Sequence, residues 1–324
     1  MTAQDQTLDH YHELMKVNAV SQLLRSSRQT GILNELRNGQ RTIDQLCELL
    51  GVLPEPTSLL VDALVAVGIV EKYGDDLALS SAAQLLCNYD ADLGDSRWSQ
   101  LTDHVRGRNE RSNVDSVRYF EQVAATQWVH TPAAIQAAEI LNLGGEGEIE
   151  GAKILDLGCS SAVWSCAMAH RDAKATITAV DVEGPLAAAT TMAASINVAD
   201  RFSVIESDPM DVESLEPIYD IVLLAQRLFG LGGDDQTRLL AKAASATKSG
   251  GRIVIVDLFR GPTKPNLAES VEALKLQLDT PSGAMKTLKE SEQMLMSVGF
   301  GQIQFSFLAA SRVNLGLMTA TKPK

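Results

Sequence analysis

The 324 residues exceed the usual size of a single domain, and a 45% hydrophobic content is enough to fill a sizeable core, so a disordered chain is excluded and two domains are expected. With 41 acidic against 28 basic residues the formal charge is -13, which repels phosphate backbones and anionic lipid heads and so excludes nucleic acid and membrane surfaces as principal partners. Four cysteines, Cys47, Cys87, Cys159 and Cys166, lack the paired spacing of a structural zinc site, so no metal is expected and they read as reduced thiols of a cytoplasmic protein.

The N-terminal stretch MTAQDQTLDHYHELM has acidic residues and no apolar core, unlike a signal peptide, and no run reaches membrane-spanning length. Apolar residues at helical spacing then predict helices near 19–38, 42–50 and 56–67, followed by a short hairpin over KYGDDLALS. Thr42 with Gln45 three positions later suits a capping box, and Pro56 suits a first helical turn. Helices and a β-wing in this order resemble a winged helix, but the stretch PEPTSLLVDALVAVG that would enter a DNA groove has no Lys or Arg. Its apolar face is read as a dimerisation surface instead.

Residues 93–143 read as mostly helical and carry Trp98, Tyr119, Phe120 and Trp128, either as core packing or as the wall of a substrate pocket. The cluster GGEGEIEG that follows has no apolar periodicity and reads as a linker. This predicts a dimerisation domain over 1–92, a helical substrate-covering region over 93–146 and a third region over 147–324. In that last region the strand-length runs KILDLG, ATITAVD, RFSVIES, YDIVLLA, GRIVIVDLF and QIQFSFLAA alternate with helical candidates at 163–169, 185–196, 236–246 and 289–298. Such alternation predicts an α/β, Rossmann-like domain with a mainly parallel sheet, whose ligands sit outside the carboxyl ends of its strands.

The chemistry is expected at those ends. The first strand runs through Asp156 and Gly158 into a helix whose N-terminus favours a ligand carboxylate. The second ends in Asp181, where a carboxylate can accept both hydroxyls of a ribose, and the third in SDPMD, where Asp208 can meet an adenine amino group and Met210 its ring. SGG, residues 249–251, precedes the fifth. Each acid alone also suits a helix cap or a loop; the ordered set points to a nucleoside cofactor.

At this point the chain resembles the S-adenosylmethionine-dependent O-methyltransferases of the caffeate, acetylserotonin and hydroxyneurosporene type, through its N-terminal portion and through LDLGCSSAVWS, VDVEGP, SDPMD, LLAKAASATKSGGRIVIVD and LKESEQMLMSVGF. The resemblance implies a class I methyltransferase domain, S-adenosylmethionine as cofactor and an intertwined homodimer, with Gln226 joining Asp156, Gly158, Ser160, Asp181, Asp208 and Met210 around the cofactor. Two departures stand out. Ser160 and Ala162 replace glycines of the family's turn, which costs nothing provided no positive φ is required there. The segment QRLFGLGGDDQ places Phe229 where the family carries its proton-accepting His, beside Gly230, Gly232 and Gly233.

Phenylalanine takes no proton, so the expected acceptor is one that needs no deprotonation. A thioether qualifies, which suggests the methylthiohydroxybutyrate S-methyltransferases of bacterial dimethylsulfoniopropionate synthesis. Arg227, Arg260 and Arg106 are candidates to hold the carboxylate of a small thioether acid, with Phe229, Tyr119 and Trp128 as pocket wall. Two alternatives stay open: O-methylation with His104 or His130 as a substitute base, and a protein that binds the cofactor without transferring its methyl.

Overall fold

The computed structural model describes residues 3–89, 94–108, 113–145, 149–213, 215–261 and 264–324. They gather into two compact units that divide between Ser99 and Gln100.

The first unit opens on helix α1, Ala3–Gln29, which starts well before the predicted residue 19. Its early turns present Leu8, Tyr11 and Leu14 to solvent, so they carry no core-facing stripe to mark them as helical. Gly31, at φ 87°, separates it from α2, Ile32–Arg37. The helix α3, Ile43–Leu50, begins on the reciprocal Thr42 and Gln45 capping box, and α4, Pro54–Ala66, begins two residues before Pro56, on Pro54. Strands β1, Val70–Tyr73, and β2, Asp76–Leu79, form an antiparallel hairpin whose turn uses Gly74 at φ 67°. Ile32, Leu36, Leu46, Leu64, Leu77 and Leu79 bury one shared core. Helices α5, Ser81–Tyr89, and α6, Asp95–Trp98, complete the unit.

The second unit begins with α7, Leu101–Val105, α8, Asn113–Thr126, and α9, Thr131–Ile140. The alanine face of α9, Ala133, Ala134, Ala137 and Ala138, is buried with residues of the central sheet and of α10, Val163–Arg171. Small side chains allow that close packing, and α8 and α9 both fall in the second unit with the sheet. The predicted boundary at 146–147 lies outside the described residues.

Seven strands form the sheet in the order β10-β11-β7-β6-β3-β4-β5. Strands β3 (Lys153–Leu157), β4 (Thr176–Asp181), β5 (Phe202–Glu206), β6 (Tyr219–Ala225) and β7 (Thr247–Asp257) run parallel, linked by α10, α11 (Glu183–Ser195) and α12 (Gly233–Ala246). The sheet is covered on both faces, hence the near-continuous apolar runs. The SGG segment forms a bulge at the amino end of β7, away from the carboxyl ends, where a Cβ on Gly251 would meet the Tyr219 carbonyl at 2.9 Å. It therefore belongs to the sheet and not to the site.

Beyond β7 come β8 (Phe259–Arg260), α13 (Leu267–Asp279), β9 (Lys286–Thr287), α14 (Leu288–Ser297), β10 (Gly301–Phe307) and β11 (Gly316–Thr321). The pattern reading missed α13 and β11. The latter inserts antiparallel between β7 and β10, starting at Gly316, where a Cβ would meet Phe305 at 2.5 Å and Phe259 at 2.7 Å.

Candidate active site

The carboxyl ends of β6, β3, β4 and β5 lie side by side in the sheet and bring most of the expected cofactor residues to one trough. The turn after β3 is tied to β4: the N–H groups of Gly158 and Cys159 both donate to the Val180 carbonyl, at 2.8 and 3.2 Å. The Asp181 carboxylate accepts from Ser160 N–H and Val182 N–H, each at 2.9 Å.

Gly158 has φ 82°, but Ser160 (φ 52°) and Ala162 (φ 55°) are left-handed as well, so the condition for cost-free replacement of glycine is not met. Each stores strain on the order of 1–2 kcal/mol. The surroundings impose it, through the Asp181 bond on Ser160 and a 2.7 Å bond from Ala162 N–H to the Cys159 carbonyl.

The N-terminus of α10, expected to face a ligand carboxylate, is capped by the protein. Gln127 Oε1 accepts from Ser161 Oγ at 3.1 Å and from Val163 N–H at 3.4 Å. No local pattern marks Gln127, because its partners come from a distant stretch of chain. Asp156 lies beneath the turn, fully buried: Ser165 Oγ donates to it at 2.5 Å, its Oδ1 has no partner among the described residues, and burial pushes its pKa up to about 7. Asp208, half-exposed, folds back to accept Met210 N–H at 2.8 Å, and the Met210 side chain is partly buried against the core.

Arg227, expected to hold an acceptor carboxylate, lies in the same trough. A Cβ on Gly158 would meet its Cγ at 2.8 Å and its Cδ at 2.9 Å. The guanidinium carbon stacks 3.8 Å from the Phe120 ring centroid, and Nη2 stands 3.9 Å from Asp208 Oδ1. Arg227 is 6% exposed, and its Nε has no hydrogen-bond partner among the described residues. Burial pulls its pKa down and pushes that of Asp181 up, while their mutual attraction opposes both shifts.

Gln226, left-handed at φ 55°, ends β6 in a small network. Trp164 Nε1–H donates to Gln226 Oε1 at 3.4 Å, which turns the amide nitrogen to His130 Nε2 at 3.2 Å. An amide nitrogen only donates, so His130 Nε2 accepts and the imidazole is neutral, in keeping with burial lowering its pKa.

Phe229 is fully buried. Its N–H donates to Asp257 Oδ2 at 3.1 Å, and its ring opens an edge-to-face ladder through Phe259, Phe305 and Phe307 at 5.2, 5.2 and 4.8 Å. The missing bulk at Gly230 is filled by α8: a Cβ there would meet Phe120 at 2.9 Å and Tyr119 at 3.0 Å. Trp128 is partly buried against the other face of the sheet. Arg106, at the end of α7, and Arg260, on β8 near Glu290, are exposed and take no part in the trough; His104 closes α7, half-buried.

The arrangement offers a strand-end carboxylate, a turn without a Cβ at Gly158 and an acid after β5, with no general base at position 229. Residues 154–251 match the family described as "Methyltransferase domain". The demethylspheroidene O-methyltransferase of Cereibacter sphaeroides is 20% identical over 88% of this chain and 79% of its own. Among solved structures, human N-acetylserotonin methyltransferase, in complex with S-adenosylmethionine, aligns at a TM-score of 0.72 and 16% identity over 100% of both chains. The N,N-8-amino-8-demethyl-D-riboflavin dimethyltransferase of Streptomyces davawensis aligns at 0.70 and 18% identity, over 99% of this chain and 100% of its own. The fold is thus that of a class I methyltransferase.

Proposed function

The chain is an S-adenosylmethionine-dependent methyltransferase, and from that premise we propose that its acceptor atom needs no protein base: the neutral sulfur of a small thioether acid such as 4-methylthio-2-hydroxybutyrate. The observation that carries this is Phe229, buried in an aromatic ladder at the position where the resemblance to the O-methyltransferases puts a proton-accepting His.

The trough suits the cofactor. Asp181, at the end of β4, can offer its carboxylate to ribose hydroxyls once Arg227 leaves the space against Gly158, and Asp208 and Met210 flank the next turn. When bound, S-adenosylmethionine supplies an electrophilic methyl on a sulfonium centre. The residues do the rest by holding that methyl in line with the acceptor and excluding water. A thioether has no proton to lose, so positioning suffices, whereas an alcohol or phenol gains on the order of 100 to 10,000-fold from a base.

A second reading rests on His130. It is neutral, and its basic nitrogen, Nε2, is held by the Gln226 amide at the end of β6; once released from that bond it can take a proton, which favours O-methylation of a hydroxylated metabolite as in the relatives named O-methyltransferases. The two separate in one assay, in which purified protein and its His130→Ala variant are given labelled S-adenosylmethionine and a panel of thioether acids, phenols and alcohols. Thioether methylation that survives His130→Ala supports the first reading. Methylation of hydroxyls alone, lost in the variant, overturns it. We further propose a homodimer formed through the exposed apolar residues of the first unit, Leu14 and Leu59 among them; light scattering that returns the mass of a single chain excludes it.

A further inference from the structure

The side chain in the trough is hard to explain as a structural ion pair. A guanidinium has five N–H donors, yet Arg227 is almost fully buried, and among the described residues its Nε has no partner and its nearest carboxylate oxygen, on Asp208, lies beyond hydrogen-bond distance. It is held by the charges of Asp181 and Asp208 and by the face of Phe120. Such a group sits in its place by default and is removable at little loss of directed bonding.

We propose that Arg227 is a built-in plug of the cofactor trough: its stem lies on Gly158 and its guanidinium beside Asp181 and Asp208, so the nucleoside seats only after Arg227 withdraws. The same atoms cannot share the space, because a single added carbon on Gly158 already falls within 2.9 Å of the Arg227 stem. The ligand and the arginine also compete for the same acceptors, the two carboxylates. Cofactor affinity is therefore the intrinsic affinity reduced by the fraction of molecules with the trough open. Phe120 tunes that fraction, since its ring holds the plug from the α8 side, and Gly230 is what admits the ring.

The inference rests on the trough being the cofactor site, and the test separates the two. Calorimetric titration with S-adenosylhomocysteine, without acceptor, compares the wild type, Arg227→Met and Phe120→Leu. The plug predicts that Arg227→Met binds about 10-fold or more tightly than wild type, with Phe120→Leu tightened by a smaller factor. A structural or ligand-holding arginine predicts the reverse, weaker binding. Melting curves accompany the titrations: Arg227→Met should melt lower without ligand, its aspartates having lost their counter-charge, and gain more on adding ligand. If Arg227→Met does not fold, Phe120→Leu decides alone. Equal or weaker affinity in the folded variants overturns the plug while leaving the site assignment in place, and no binding by any of the three proteins overturns both.

Discussion

Ser160 shows how a backbone shape outlives the residue that suits it. It holds φ 52° because the Asp181 carboxylate takes its N–H and the turn is pinned to Val180, so the left-handed conformation is imposed from outside. Ser160→Gly should relieve that strain and raise stability by about 1 kcal/mol, a gain of roughly 2–4 °C in melting temperature for a unit of this size. A lower melting point would show that the serine side chain contributes more than its backbone costs. Asp257 makes a second point about single residues. Buried at the end of β7, it accepts N–H bonds from Phe229 and Leu258, yet burial pushes its pKa up to about 7 from an ordinary 3.8. The folded protein keeps this proton where the unfolded chain has released it, so the contribution is fully present below about pH 4 and is lost as pH rises through about 7. Asp257→Asn should flatten that part of the decline of melting temperature with pH; parallel curves for variant and wild type would contradict it.

At the level of elements, the loop after β6 is rebuilt around aromatic packing. Phe229 leads the ladder to Phe307, and Gly230 makes room for the Tyr119 and Phe120 pair of α8. Phe229→His, which puts an imidazole where the resemblance places a base, should destabilise the protein by about 1–3 kcal/mol by burying an imidazole among rings, and should not create phenol methylation. Gain of that activity with unchanged stability would mean the position faces the acceptor after all. The parallel strands and their acids were legible because β3, β4, β6 and β7 are buried on both faces and Asp181 falls at a strand end. The Arg227 placement was not, since it depends on Phe120 and Gly158, which converge only in three dimensions. Gln127, the cap of α10, escaped for the same reason. The helix α13 and the strand β11 were missed where short apolar stretches follow the last clear alternation; β11 takes its place by pairing with both β7 and β10 rather than by any pattern of its own.

Across the whole molecule, the match to a methyltransferase domain falls within the second unit, while α4 of the first carries no cation with which to hold a duplex. Among the described residues no helix is long and apolar enough to cross a membrane, and no group of His, Cys, Asp or Glu is poised to hold a metal. The four thiols are distributed unevenly over this plan. Cys87, Cys159 and Cys166 are buried, and burial pushes the pKa of each upward, that of Cys166 to about 12, so in the native state they stay protonated and out of reach. Cys47, on α3, is the one that is not fully buried. A maleimide dye added to the folded protein should therefore attach at this position alone, and at all four once denaturant is present. The chain thus carries its own single-site label on the first unit, and the count of labelled thiols becomes a direct gauge of how many molecules in a preparation are folded.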